Sequence, residues 1–237
     1  MTTEITTSMT LGDIVSQHPE LARELEHRSL DYCCGGRRTL AEACQAKGLD
    51  ADETLAELSE VGTGEPAPWA DLGPVELVDH LELLHHTYLK SEMPRLSELA
   101  AKVASVHGQR RPELIEVQQV YESLRDELDP HLMKEEQVLF PMIRELVESS
   151  DEAPAFHCGS LQNPISVMLM EHDAAGELLE RLRELTSDYT LPPDACGSYT
   201  ALYKGLEELE ADTHLHIHKE NNILFPTVVE LETQGAG

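Results

Sequence analysis

Two stretches of the chain repeat one pattern: "HLMKEEQVLFPMI" from His131 and "HIHKENNILFPTV" from His216. In each, a Glu stands four residues after the His (Glu135, Glu220) and a Pro ten residues after it (Pro141, Pro226). Residues four apart on an α-helix differ by about 40° and share a face, so each pair presents an imidazole and a carboxylate side by side. One further His lies upstream in each half: His86 precedes His131 by 45 residues, and His172 precedes His216 by 44. Copies in register mark a duplicated unit. A single His is ordinarily a surface or core residue, and a lone His-x-x-x-Glu an exposed helix pair. The agreement of both pairs, both upstream His and both Phe-Pro steps points instead to a polynuclear metal site enclosed by the two halves.

Ligand type selects the metal. Imidazole and carboxylate without thiolate suit iron, and less strongly manganese or zinc. Two octahedral irons are filled by two bridging carboxylates (Glu135, Glu220), five imidazoles and an oxo or hydroxo bridge, with one position left for an outside ligand. Four imidazoles are assigned above. His107, in "VASVHGQRR", is the candidate for the fifth, although its spacing from His86 does not fix its direction. His85 and His218 are alternatives to their neighbours, but only His216 keeps the four-residue step to Glu220.

The elements that must aim these side chains are helices. Pro74 opens "VELVDHLELLHHTYLKSEMPRLSELAAKVASV", and "GQRRP" closes it. The stretch "ELIEVQQVYESLRDELDPHLMKEEQVLFPMIRELVES" follows, then the loop "SDEAPAFHCGSLQNP", the helix "ISVMLMEHDAAGELLERLRELTS" and a last helix from about Tyr199 to Glu232. Pro94, Pro130 and Pro141 fall inside these helices and predict bends, with a break at Pro130 as the alternative. Strand signals are lacking. The fold class is all-α, an antiparallel four-helix bundle over 74–237. Ahead of it, residues 1–61 read as a small helical domain. Thr10, Thr39 and Asp50 offer caps, and Leu11, Ile14, Val15, Leu21 and Leu25 form an apolar face. "GTGEPAPWADLGP" marks a linker over 62–73.

A formal charge of −28 repels phosphate backbones and anionic membranes, so nucleic-acid and lipid partners are excluded as leading readings. No apolar run reaches the roughly 20 residues of a membrane span, and the N-terminus lacks a signal-peptide pattern. Five Cys, odd in number and scattered, fit reduced thiols and a cytoplasmic location. In "DYCCGGRR", a disulfide between adjacent Cys33 and Cys34 closes a strained ring, while Arg37 and Arg38 favour thiolate. The other reading is a helix end capped by Gly35 or Gly36, with Cys as compact filler.

The region from about 74 to 231 resembles hemerythrin-like di-iron bundles. The whole chain resembles the di-iron repair-of-iron-centres family, through "DYCCGGRRTLAEAC", "HLMKEEQVLFPMI", "PISVMLMEHDAAGELLE" and "HKENNILFP". The resemblance implies metal ligands at His86, His107, His131, Glu135, His172, His216 and Glu220, with the two Glu as bridges between two non-haem iron ions, oxo- or hydroxo-bridged. It implies repair of iron–sulfur clusters damaged by nitrosative or oxidative stress, through iron donation or nitric oxide handling. Damaged iron–sulfur proteins become the partners, nitric oxide or dioxygen the small ligands, and Cys33 and Cys34 participating thiols; a homodimer is left open. The chain departs from the family in the longer loop "ESSDEAPAFHCGSLQN", in Leu89 and in Pro130. Rival readings are reversible dioxygen or nitric oxide binding in the manner of hemerythrin, and a di-iron oxidase or peroxidase. The latter uses Glu-x-x-His pairs and more carboxylates than imidazoles. The Cys-containing N-terminal domain separates repair from simple carriage.

Overall fold

A computed structural model describes residues 5–61, 67–149, 154 and 156–235. Part of the linker reading (62–66) and part of the long loop (150–153 and 155) lie outside the described residues. The N-terminal unit holds α1 (Leu11–Gln17), a 3-10 turn at Pro19–Leu21, α2 (Ala22–His27), α3 (Leu40–Lys47) and α4 (Ala51–Val61). Thr10 caps α1 by accepting from the Asp13 N–H, and Thr39 forms a capping box with Glu42 at α3. Asp50 accepts from the N–H groups of Asp52 and Glu53 and starts α4. Leu11, Ile14, Val15, Leu21 and Leu25 are fully buried together in a core that also takes in Ile217 of the bundle.

Four long helices follow. We number them α5 (residues 74–107), α6 (113–148), α7 (Gln162–Leu185) and α8 (197–235). Helix α5 packs against α6 and α8, and α6 packs against α7. Among the described residues there is no strand, only one isolated bridge between Thr10 and Thr39. Pro94 and Pro130 both sit within continuous helix, so the alternative break at Pro130 does not occur.

The helices are interrupted in a different way. Each of α5, α6 and α8 contains one π-helical turn: Glu82–His86, Glu135–Leu139 and Glu220–Leu224. The Phe-Pro step accounts for two of them. Pro141 and Pro226 have no N–H to return to the previous turn, and the Phe before each reaches one residue further back than usual. Phe140 N–H donates to the Glu135 carbonyl, and Phe225 N–H to the Glu220 carbonyl. Such wide turns concentrate at functional sites. They divide the bundle interior into two apolar clusters. One contains Leu89, Leu132, Ala175 and Leu209; the other contains Leu81, Leu139, Met168 and Leu224. The polar layer lies between them.

Candidate metal centre

Six of the seven predicted ligands meet in that layer. His86 comes from the π turn of α5, His131 and Glu135 from α6, His172 from α7, and His216 and Glu220 from α8. All are nearly inaccessible; Glu135 and Glu220 are 0% exposed. Two overlapping sets have one ligand atom from each residue within 4.8 Å of the others: His86, His216, Glu135 and Glu220, and His131, His172, Glu135 and Glu220. Both carboxylates belong to both sets. Each set joins the upstream His of one half to the downstream His of the other, so neither half completes a position alone.

The Nε2 atoms of His86 and His131 stand 3.4 and 3.1 Å from Glu135 oxygens, and those of His172 and His216 stand 3.2 and 3.3 Å from Glu220 oxygens. Yet both oxygens of Glu135, both of Glu220, and the Nε2 atoms of His86 and His216 have no hydrogen-bond partner. Two carboxylates this deeply buried and unbonded are costly unless cations sit among them. The donor set therefore fits a pair of metal ions. Burial alone would raise the Glu135 carboxyl, but His131, followed by His86 and His216, holds it well below the usual range. His131 moves the other way: against the opposing effect of burial, Glu135 raises it to about 9.

The outer nitrogens are held with the same regularity. His86 Nδ1 donates to Glu136 (2.8 Å), which Lys90 binds, and His131 Nδ1 donates to Glu171 (2.9 Å), which Lys134 binds. His172 Nδ1 donates to the amide oxygen of Asn221 at 2.8 Å, and the Asn221 amide donates to the Cys33 carbonyl at 3.3 Å. Glu136 and Asn221 each follow a bridging-type Glu, so the repeat places an anchoring residue at the same step in both halves. In one half it is a carboxylate; in the other it is a neutral amide reaching the N-terminal unit. The Phe residues repeat as well, with Phe140 stacked on His86 and Phe225 on His172.

His107 is not part of this arrangement. It stands 21 residues after His86 on one continuous helix, a rise of about 31 Å. Its Nε2 lies 3.3 Å from the Cys196 sulfur, and its ring tilts against Tyr199. The expectation that His107 supplies a fifth imidazole is corrected: helical rise carries it to the other end of the bundle. His85 and His218 are also occupied elsewhere. Lys219 Nζ donates to His85 Nε2 at 2.7 Å while His85 Nδ1 donates to Asp212 at 2.9 Å, so the lone pair a metal would need is taken. Burial first, then His216 and Lys219, lowers His85 to about 2. His218 faces the N-terminal unit, bonded to Ser16 and Asn222.

Sequence reasoning missed Glu136, Glu171, Asn221 and Lys219. Lys219 is 2% exposed, lies 4.0 Å over the Trp69 ring, and is lowered to about 8 by burial. The duplicated position after each Glu is the signal that would have found Glu136 and Asn221.

Cys33 and Cys34 lie on a loop held against the π turn of α8. Asn222 donates to the carbonyls of Tyr32 (3.2 Å) and Cys33 (3.1 Å). Gly36 is required there, because a Cβ would stand 2.5 Å from the Tyr32 carbonyl and from the Asn222 side chain. All five Cys are free. At Cys33 the hydrogen bond with Cys34, together with burial, pushes the thiol well above its usual value, against the expected thiolate character, while exposed Arg38 lines the cavity that reaches both thiols. The reading of Gly35 or Gly36 as a helix cap does not hold either, since no helix ends there; left-handed residues close α2 at Ser29 and α3 at Gly48.

Residues 77–228 match the family described as Hemerythrin HHE cation binding domain, and residues 7–62 match a domain of unknown function (DUF542). The iron–sulfur cluster repair protein YtfE of Escherichia coli O81 (strain ED1a) is 38% identical over 218 residues, 91% of this chain and 94% of its own. YtfE of Escherichia fergusonii matches at the same identity and coverage. The chain belongs to the iron–sulfur cluster repair family, built on a hemerythrin HHE domain. Membership agrees with the helical bundle and the cation-binding donor set. Among the described residues, no helix is long and apolar enough to cross a membrane.

Proposed function

We propose that this chain repairs iron–sulfur clusters damaged by nitrosative or oxidative stress, using two non-haem iron ions, oxo- or hydroxo-bridged, held by His86, His131, Glu135, His172, His216 and Glu220. The observation that carries this is the pair of buried carboxylates shared by two imidazole pairs and left without hydrogen bonds. Kinship with proteins named for cluster repair supplies the biological setting. Damaged iron–sulfur proteins are the partners, nitric oxide or dioxygen the small ligands, and the free thiols support a cytoplasmic setting.

Bound iron supplies redox capacity and an ion that can be given up, because nitrogen and oxygen donors hold ferrous iron weakly among the divalent metals. The protein's own residues do the rest. Glu135 and Glu220, which belong to both ligand sets, would bridge the two ions. Glu136 and Glu171 hold the outer nitrogens of His86 and His131, fixing the tautomer that directs Nε2 inward and increasing ligand basicity. Phe140 and Phe225 cover the imidazoles and keep the layer dry. With four imidazoles rather than the five expected, two octahedral irons held here would keep two positions open instead of one. Open positions suit both uptake of a small ligand and release of an ion.

The test is restoration of a purified iron–sulfur enzyme inactivated by nitric oxide. Iron-loaded protein should restore its activity, and a Glu135→Gln, Glu220→Gln variant should lose iron and repair together. Reversible dioxygen or nitric oxide binding without any restoration would instead establish gas carriage and end the repair reading.

A further inference from the structure

Among the described residues, one cluster outside the bundle layer also brings metal-ligating atoms together. Asp31, Cys33 and Cys34 hold a carboxylate oxygen and two sulfurs within 4.8 Å of one another. The two sulfurs are 3.8 Å apart. A disulfide needs about 2.05 Å. Two thiolates bound tetrahedrally to one ion at about 2.3 Å stand about 3.8 Å from each other. The two thiols, hydrogen-bonded to each other, are too far apart for a disulfide and already at the separation that a shared ion requires.

The loop is fixed in that form. Asp31 accepts from the N–H groups of Cys33 (3.1 Å), Cys34 (2.9 Å) and Gly35 (2.8 Å), while Asn221 and Asn222 hold the Cys33 carbonyl. The Cys33 thiol donates to Asp31 Oδ1 at 3.2 Å, an oxygen that also accepts from the Cys33 and Cys34 N–H groups, whereas Asp31 Oδ2 accepts only from the Gly35 N–H and keeps a lone-pair site for an ion. A cavity of about 430 Å³ reaches Asp31, Cys33 and Cys34, giving an ion a way in; Asp173 and Glu177 line it together with the cations Arg38, Lys47 and Arg183.

We propose that Asp31, Cys33 and Cys34 form a third metal position, separate from the bundle layer, for a divalent ion of intermediate softness such as ferrous iron, zinc or cobalt. Binding forms two metal–sulfur bonds and releases one proton from each thiol; no electron is exchanged. Only the purpose of this position rests on the repair reading. There it would be a staging place between the bundle and a partner, one amide away from His172 through Asn221.

The test uses the full chain, reduced and with its bundle iron in place, titrated with cobalt(II) under anaerobic conditions. One further cobalt per chain is expected, with near-ultraviolet sulfur-to-cobalt charge-transfer absorption and the visible bands of a four-coordinate ion. Cys33→Ser/Cys34→Ser should abolish it. Cys34→Ser alone, at a half-buried position that spares the core, should weaken it by about tenfold or more. Cys196→Ser, which removes the thiol beside His107, should leave it unchanged. Absence of the third equivalent, its survival in the double variant, its loss in Cys196→Ser, or a Cys33–Cys34 disulfide that persists in reductant would each overturn the proposal. A cluster-restoration assay on the same samples separates the two readings: repair without the third ion removes only the new position, and the third ion without repair removes only the repair function.

Discussion

Asn221 offers the sharpest perturbation of the bundle layer. Asn221→Leu keeps the volume and removes both polar contacts of the amide. The Cys33 carbonyl stays satisfied, because Asn222 also donates to it at 3.1 Å. The loss therefore falls on His172, whose Nδ1–H is left without its 2.8 Å acceptor in a position 1% exposed. An abandoned buried donor costs about 1–3 kcal/mol. Loss of such an outer contact typically weakens metal binding by about 10–100-fold, or about 1.4–2.7 kcal/mol. His172 belongs only to the set with His131, whereas His86 and its Glu136 contact are untouched. Iron removal by a competing chelator should thus become biphasic, with one ion leaving about 10–100-fold more readily and the other unchanged. Equal weakening of both ions, or a change below about threefold in either, would refute the asymmetry.

Other expectations follow from the same geometry. His107→Ala should leave the iron content at its original value, measured by metal analysis, because the side chain contacts Cys196 and not the bundle layer. In the ion-free chain, His131 is raised from 6.5 to about 9, so its contribution to stability is complete below about pH 6.5 and is lost as pH rises through about 9. Thermal melts across that range should show the ion-free protein losing stability relative to the iron-loaded form, whose His131 has already given up the proton. Gly36→Ala forces a Cβ to 2.5 Å from the Tyr32 carbonyl. It should cost about 1–3 kcal/mol in urea unfolding and increase protease cutting of the Cys33–Cys34 loop. Phe140→Ala, at a fully buried position against His86, should cost about 3–5 kcal/mol in the same assay.

The helices, their caps and the six candidate ligands that meet were legible in the sequence because each rests on local periodicity: Thr10 and Thr39 before apolar runs, and His131 and His216 four residues before a Glu. What was hidden depends on departures from that periodicity. A π turn adds one residue and swings everything after it by about 100°. For this reason the choice between His85 and His86 could not be made from spacing, and the structure makes it by giving the His85 lone pair to Lys219. His107 misled because counting imidazoles ignores rise along the axis. The Phe-Pro step was visible as a repeat, but its role needed the backbone: the Pro favours the wide turn, and the Phe stacks on the upstream imidazole. Glu171 and Asn221 act across helices, where sequence distance says nothing.

Anomalous scattering at the iron edge from crystals of the iron-loaded chain tests the central claim most directly. The account predicts two iron peaks per chain, both touching Glu135 and Glu220, one also bound by His86 and His216 and the other by His131 and His172. A single peak, or a peak ligated by His107 or His85, would contradict it.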